Sequence, residues 1–218
     1  MPVEVIIWDM DGVLVDSEVY WAQARVEFAA DRGLVWGGDD HRYVMGRATL
    51  EWAEVMKERM ALPDTPQAIA DEMIARMQAK YEQRLPVREG AVEAVRLAAQ
   101  HYRVGLASGS PTALIQHVTR LTGLDAVFET MVYGDDIERG KPAPDIYLEA
   151  LRRMDSTPQV AAGIEDSGNG ILSLHNAGMK IIAAPSPDFP LKDEYLKLAH
   201  AHISALTEFS RELVESLG

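Results

Sequence analysis

Two aspartates stand one residue apart where a short apolar run ends: residues 3–8 lead into Asp9-Met10-Asp11-Gly12-Val13. Neighbouring carboxylates repel each other and settle only with a cation or a shared proton between them. Gly12 permits a tight turn, so taken alone the pattern also fits a polar turn that closes a strand. A second cluster, Ser108-Gly109-Ser110, leads into Pro111-Thr112. A helix starting there aims hydroxyl and backbone N–H groups at an anion, although a plain helix N-cap uses the same residues. Third, Lys141 stands between Gly140 and Pro142-Ala143-Pro144. That stiff turn would fix an ammonium in place, where most loop lysines are simply solvated. Fourth, Glu165-Asp166-Ser167 follows the run 160–164. Acidic residues in that place also complement a helix dipole. The set as a whole is more telling than its parts. Asp9, Asp11, Ser108, Lys141, Glu165 and Asp166 combine acids, an ammonium and a hydroxyl. Hard oxygen donors of this kind suit Mg²⁺ better than Zn²⁺, which prefers nitrogen and sulfur.

Such residues meet only if the chain brings four strand ends together. Residues 3–8, 104–107, 160–164 and 180–183 are short β-branched runs and predict buried strands. Helical spacing separates them: Val92, Val95 and Ala99; Leu114, Ile115, Val118 and Leu121; Ile146, Ala150 and Met154; Ile171, Leu174 and Ala177, with Gly178 at a helix end. Strands alternating with helices predict an α/β fold with a parallel sheet and helices on both faces. Ligands bind such sheets at the carboxyl ends of the strands. The alternation breaks once. Helical patterns at 17–30, 49–60 and 65–84 follow one another with no strand between, and Ile69, Met73, Met77 and Tyr81 form an i, i+4 stripe. Three consecutive helices exceed one crossover and predict a separate cap over residues 16–86, the core being 1–15 and 87–218.

The stretches DMDGVLVDSE, ASGS, GKPAPDIY and GIEDSGNGI resemble, in order, the four motifs of the haloacid-dehalogenase-like superfamily. The likeness is greatest to the branch of sugar-phosphate phosphatases and β-phosphoglucomutases. It implies a Rossmann-like parallel core with a small all-α cap inserted after the first strand. It also implies roles. Asp9 is the nucleophile that becomes an aspartyl-phosphate, and Asp11 the acid and then the base. Ser108, Gly109 and Lys141 bind the phosphoryl oxygens. Mg²⁺ is held by the Asp9 carboxylate, the Asp11 carbonyl and Asp166, with Glu165 acting on the metal's waters. In the cap, Tyr43-Val44-Met45-Gly46-Arg47-Ala48-Thr49 resembles the substrate-specificity loop, which makes Gly46 and Arg47 substrate-binding candidates. Hinges are expected near 15–17 and 85–89.

The implied activity is hydrolysis of small phosphorylated metabolites, with sugar phosphates foremost. Dehalogenases and phosphonatases lack a carboxylate where Asp11 stands, so its presence favours phosphate esters. A phosphomutase is the alternative, and a non-catalytic binding protein a more remote one. Mutases of this branch carry a histidine where Trp21 stands and an arginine where Thr49 stands, which favours the phosphatase. Trp21, Trp36 and Trp52 all fall in the cap, where tryptophans at helical spacing predict core packing rather than sugar stacking.

Composition narrows the partners. The 218 residues carry 21 basic and 34 acidic side chains, a net charge of −13. That balance repels nucleic acid, and no basic stripe reverses it locally. Without cysteine there is no disulfide, thiolate nucleophile or cysteine-bound metal, in keeping with a cytoplasmic protein. The apolar runs are too short for a leader or a membrane span. A monomer is the expected state.

Overall fold

The computed structural model describes residues 1–41, 43–44, 49–186 and 189–218. Six strands form one parallel sheet in the order β3-β2-β1-β4-β5-β6. They are β1 (Val5–Trp8), β2 (Arg103–Ser108), β3 (Thr130–Tyr133), β4 (Ala161–Glu165), β5 (Lys180–Ala183) and β6 (Ala201–His202). Central β1 shows why its sequence is apolar throughout. Ile6 and Trp8 enter the core on one face, Val5 and Ile7 the core on the other. Successive side chains alternate faces, and this strand has no solvent side.

Between β1 and β2 lie α1 (Glu18–Ala30), α2 (Gly38–His41), α3 (Thr49–Met60), α4 (Pro66–Gln83) and α5 (Ala91–Ala99). Helix α5 packs on the Ile6/Trp8 face together with α6 (Thr112–Thr122). Helices α7 (Asp145–Arg153) and α8 (Gly168–Ala177) cover the Val5/Ile7 face. The short α9 (Asp193–Leu196) and α10 (Arg211–Glu215) complete the chain. The sequence signals for helix ends hold where chemistry enforces them. Thr65 caps α4 by accepting from the Ala68 N–H, with Pro66 opening the helix. Gly178, at φ 74°, ends α8 in the left-handed conformation that side chains resist.

Helices α1–α4 form the inserted cap. Ile69, Met73, Met77 and Tyr81 are buried along α4, as their spacing predicts. Trp21, Trp36 and Trp52 are all buried, and Trp21 meets Trp52 edge-on at 5.6 Å. The tryptophans therefore build the cap's interior. The chain leaves and re-enters the core side by side: the Asp16 N–H donates to the Pro86 carbonyl, and the Arg88 N–H to that of Leu14, each at 2.9 Å.

Two strands have no clear sequence signal. In β3 only Val132 is buried, and β6 is two residues long, paired with β5 alone. Strands β2 and β4 each run one residue beyond the apolar stretch, so Ser108 and Glu165 are strand residues rather than the first of a loop. Leu121, part of the apolar spacing in α6, is exposed.

Candidate active site

The strand order reverses direction at β1, and the crevice between the carboxyl ends of β1 and β4 is where an open α/β sheet binds ligands. Asp9 follows β1 directly, Glu165 ends β4, Ser108 ends β2, and Lys141 sits in the loop between β3 and α7. All four sequence clusters therefore reach one edge of the sheet.

Asp9 and Lys141 are paired. The Lys141 ammonium donates to Asp9 Oδ1 at 2.6 Å and to Glu165 Oε1 at 2.6 Å. Glu165 is completely buried and spends both oxygens on the protein. Its Oε1 also accepts from the Tyr147 hydroxyl at 2.6 Å. Its Oε2 accepts from the Asp166 N–H at 3.1 Å, the Ser167 N–H at 3.4 Å and the Ser167 hydroxyl at 3.2 Å. Glu165 thus fixes the ammonium that holds Asp9. Ser167 in turn caps α8, accepting from the Gly170 N–H.

Asp11 has a different set of partners. Its Oδ1 accepts from the Ser17 hydroxyl at 2.6 Å. Its Oδ2 accepts from the Ser110 hydroxyl at 2.6 Å and the Ser108 hydroxyl at 3.1 Å. Ser108 also accepts from the Ser110 N–H. The Ser108 hydroxyl, expected to face a phosphoryl group, is here turned to Asp11 and must give up that bond to serve a ligand. Gly109 has open space around its α-carbon.

The electrostatics are unbalanced. Burial pushes the Asp9 carboxyl well above the ordinary carboxylate range. Lys141 opposes that shift, while Glu165, Asp11 and Asp166 reinforce it. Asp166 is pushed up to about 8, by burial first and by Glu165 second. Burial works against the Lys141 ammonium, yet Asp9 and Glu165 hold it charged beyond its usual range. Acids outnumber cations here, which is the condition that a bound metal relieves. The donor set fits one: carboxylate oxygens of Asp9, Glu165 and Asp166 all lie within 4.8 Å of one another. Oxygen donors alone suit a hard divalent cation. The turn after β1 is shaped to the same cluster. Gly12 has φ 75°, and a β-carbon there would stand 1.9 Å from Asp166 Oδ2, so any other residue drives the carboxylate out.

Residues 3–178 match the model of the haloacid dehalogenase-like hydrolases. The chain belongs to that family. Among hydrolases of known kind, it is similar to a phosphorylated carbohydrates phosphatase of Thermotoga maritima, 29% identical over 180 residues, which span 82% of this chain and 83% of that one. Hexitol phosphatase B of Escherichia coli is 30% identical over 211 residues, 94% of this chain and 93% of its own. The fold matches that of the CbbY structure from Rhodobacter sphaeroides in complex with phosphate, with a TM-score of 0.82 at 24% identity, covering 94% and 96% of the two chains. It also matches a β-phosphoglucomutase of Clostridium difficile, with a TM-score of 0.81 at 20% identity, covering 99% and 96%.

Within this hydrolase fold, Asp9, Asp11, Ser108, Lys141, Glu165 and Asp166 come together at one edge of the sheet. Gly46 and Arg47 lie outside the described residues. Three contributors, Ser17, Tyr147 and Arg88, carry no sequence signal as site residues. Ser17 and Ser110 hold Asp11, and Tyr147 holds Glu165. Arg88, nearly buried, donates to the carbonyls of Gly12, Ala184 and Pro185 and clamps the Gly12 turn. Ser110 is legible in the sequence as the second hydroxyl of its cluster. Tyr147 and Arg88 carry no local signal, because their partners are distant in the chain. Among the described residues, no helix is long and apolar enough to cross a membrane.

Proposed function

We propose that this hydrolase is a Mg²⁺-dependent phosphatase of small phosphorylated metabolites, sugar phosphates foremost, acting through an aspartyl-phosphate on Asp9. The observation that carries the reading is the division of labour between the two aspartates: one paired to a buried ammonium beside two more acids, the other held by three hydroxyls. The names of the phosphorylated carbohydrates phosphatase and the hexitol phosphatase support the substrate class.

Phosphate monoesters resist hydrolysis so strongly that charge stabilisation and positioning must do most of the work. Lys141 binds Asp9 by Oδ1 and leaves Oδ2 to attack phosphorus. The ester P–O bond breaks, and Asp11 gives its proton to the departing alkoxide. Asp11 then takes a proton from water as that water attacks phosphorus, and the Asp9–phosphorus bond breaks to release phosphate. Ser108, Gly109 and Lys141 hold the phosphoryl oxygens through both steps. Mg²⁺, when held by the Asp9 carboxylate, the Asp11 carbonyl and Asp166 with Glu165 beside its waters, supplies the positive charge that lets an anion approach these acids.

Residues 16–86 act as the cap, swinging on the paired connections 15–17 and 85–89 to exclude bulk water. The phosphatase reading is preferred over the mutase because Trp21, where mutases carry histidine, is packed against Trp52 and offers no ring base. The test is product analysis with Mg²⁺. Free phosphate from hexitol and hexose 6-phosphates is expected. Conversion of a hexose 1-phosphate without phosphate release would replace the phosphatase with a mutase.

A further inference from the structure

Helix α1 carries a buried arginine whose guanidinium has no hydrogen-bond partner among the described residues. Arg25 is only 5% exposed, and its Nε has no hydrogen-bond partner. Among the described residues the guanidinium makes no hydrogen bond or ion pair at all. A guanidinium stays charged and presents five N–H donors, so burying it unpaired is costly and calls for a reason. Arg88 shows the ordinary solution, with three carbonyls around it.

Its direction supplies the reason. Helical side chains lean toward the helix N-terminus. Arg25 accordingly lies back over Trp21, its guanidinium carbon 5.3 Å from the ring centroid. Glu18, Trp21 and Arg25 share one face of α1, at i, i+3 and i+7. The foot of that face is the active site: Ser17 donates to Asp11, and the half-buried Glu18 carboxyl feels the charges of both Arg25 and Asp11. From α2, His41 Nδ1 accepts the Trp36 indole N–H at 3.3 Å. That bond places the neutral ring's own proton on Nε2, as a donor. Arg25 is near enough for its charge to act on His41. The face therefore offers an acceptor, Glu18, close to Asp11 and a guanidinium fork farther out.

We infer that Arg25 binds an oxyanion at the end of the substrate opposite the phosphoryl group being transferred. This rests on the phosphatase reading and narrows its substrates to phosphorylated chains that end in a carboxylate or a second phosphate. Glu18 accepts a hydroxyl from the middle of the chain. Glu18 and Arg25 are roughly 10 Å apart along the helix axis, a span that the backward lean of Arg25 shortens to the length of a small sugar acid or sugar bisphosphate. The guanidinium left bare in the cap is then completed by substrate, and completing it draws the cap shut.

Phosphate release from matched pairs tests this. The carboxylate pairs are 3-phosphoglycerate against glycerol 3-phosphate, 4-phosphoerythronate against erythritol 4-phosphate, and 6-phosphogluconate against glucitol 6-phosphate. The phosphate pair is fructose 1,6-bisphosphate against fructose 6-phosphate. In at least one pair the charged member should have the higher kcat/KM. Arg25→Met should lower kcat/KM for that member by about 10- to 100-fold and leave its uncharged counterpart unchanged, with Arg25→Lys recovering part of the loss. Because Met removes an unpaired buried charge, the thermal midpoint should hold or rise. Preference for the uncharged member in every pair, or equal losses on both members, overturns the inference. If neither these probes nor p-nitrophenyl phosphate is hydrolysed, the phosphatase reading itself falls. Calorimetric binding of the same pairs to Asp9→Asn protein, with and without Arg25→Met, then still reports whether Arg25 holds the oxyanion: a charged-member advantage lost with Arg25 sustains it, and no advantage overturns it.

Discussion

Two regions of the molecule, the candidate site on the sheet and the Arg25 face of α1 in the cap, treat buried charge in opposite ways. On the sheet side, Lys141 has two carboxylates, Glu165 has five donors, and Asp11 has three hydroxyls. On the cap side, Arg25 is deeply buried and has no hydrogen-bond or ion-pair partner among the described residues. Satisfied groups keep a fixed geometry, which is what chemistry on phosphorus needs before any substrate arrives. An unsatisfied group gains most when a ligand supplies its missing partner, which is what selectivity needs. The contrast sets a preassembled cluster of paired charges against the surface proposed to recognise substrate.

Substitutions on the sheet side should be the most severe. Asp9→Asn should lower kcat by roughly 10⁴- to 10⁶-fold while circular dichroism stays native, because the covalent step is lost outright. Lys141→Met should cost about 10²- to 10³-fold in kcat. It should also lower the thermal midpoint, since Asp9 and Glu165 are left facing each other unneutralised. A Lys141→Met enzyme with kcat near wild type would dissolve the idea of a preassembled centre.

Metal binding probes the same side with a smaller effect. Asp166 is raised from 3.8 to about 8 in the folded protein, so its proton is bound more tightly folded than unfolded. That contribution to stability is complete below the unfolded value and is lost as pH rises through about 8. The metal-free protein should therefore lose stability from this group as pH climbs across that window. Mg²⁺ must displace the same proton, so its affinity should rise with pH, by up to about tenfold per unit below 8. Chelation should abolish turnover, and titration calorimetry at two pH values checks the slope. Equal affinity at about pH 6 and pH 8 would show that the acids are already ionised without metal.

Away from the cleft the charges matter least. Glu149 is held down to about 2 by hydrogen bonds from Arg152 and Arg153 on the surface of α7. Its stabilising effect is present above the unfolded value and is lost as pH falls toward 2. Glu149→Gln should cost only about 0.5 kcal/mol at neutral pH in urea denaturation, and less near pH 3. A loss of several kcal/mol would mean that surface pairing, not the buried network, carries the electrostatic stability.

The same contrast explains what the sequence reveals. Strand β1 is legible because burial on both faces demands an unbroken apolar run, and Asp9 stands out by ending it. Ser108 and Glu165 are legible as types though not as strand residues, since hydrogen bonding carries β2 and β4 one residue past their apolar stretch. Strands β3 and β6 are not legible. They lie at the edges of the sheet, where pairing to one neighbour replaces a hydrophobic signal. Tyr147, Arg88 and Ser17 matter through partners far away in sequence or through a side-chain direction, neither of which a local pattern encodes. Arg25 is the extreme case, because the role proposed for it rests on a contact missing among the described residues, which only the folded chain exposes.

The account turns on a covalent bond between phosphorus and the first aspartate. The direct measurement is to quench the enzyme during turnover in the presence of Mg²⁺, reduce it with borohydride and sequence the peptides by mass spectrometry. Hydride converts an aspartyl-phosphate to homoserine and expels phosphate. Homoserine at position 9 is the predicted result, absent when substrate is withheld. Homoserine at another aspartate, or none at all while phosphate is being released, would contradict it.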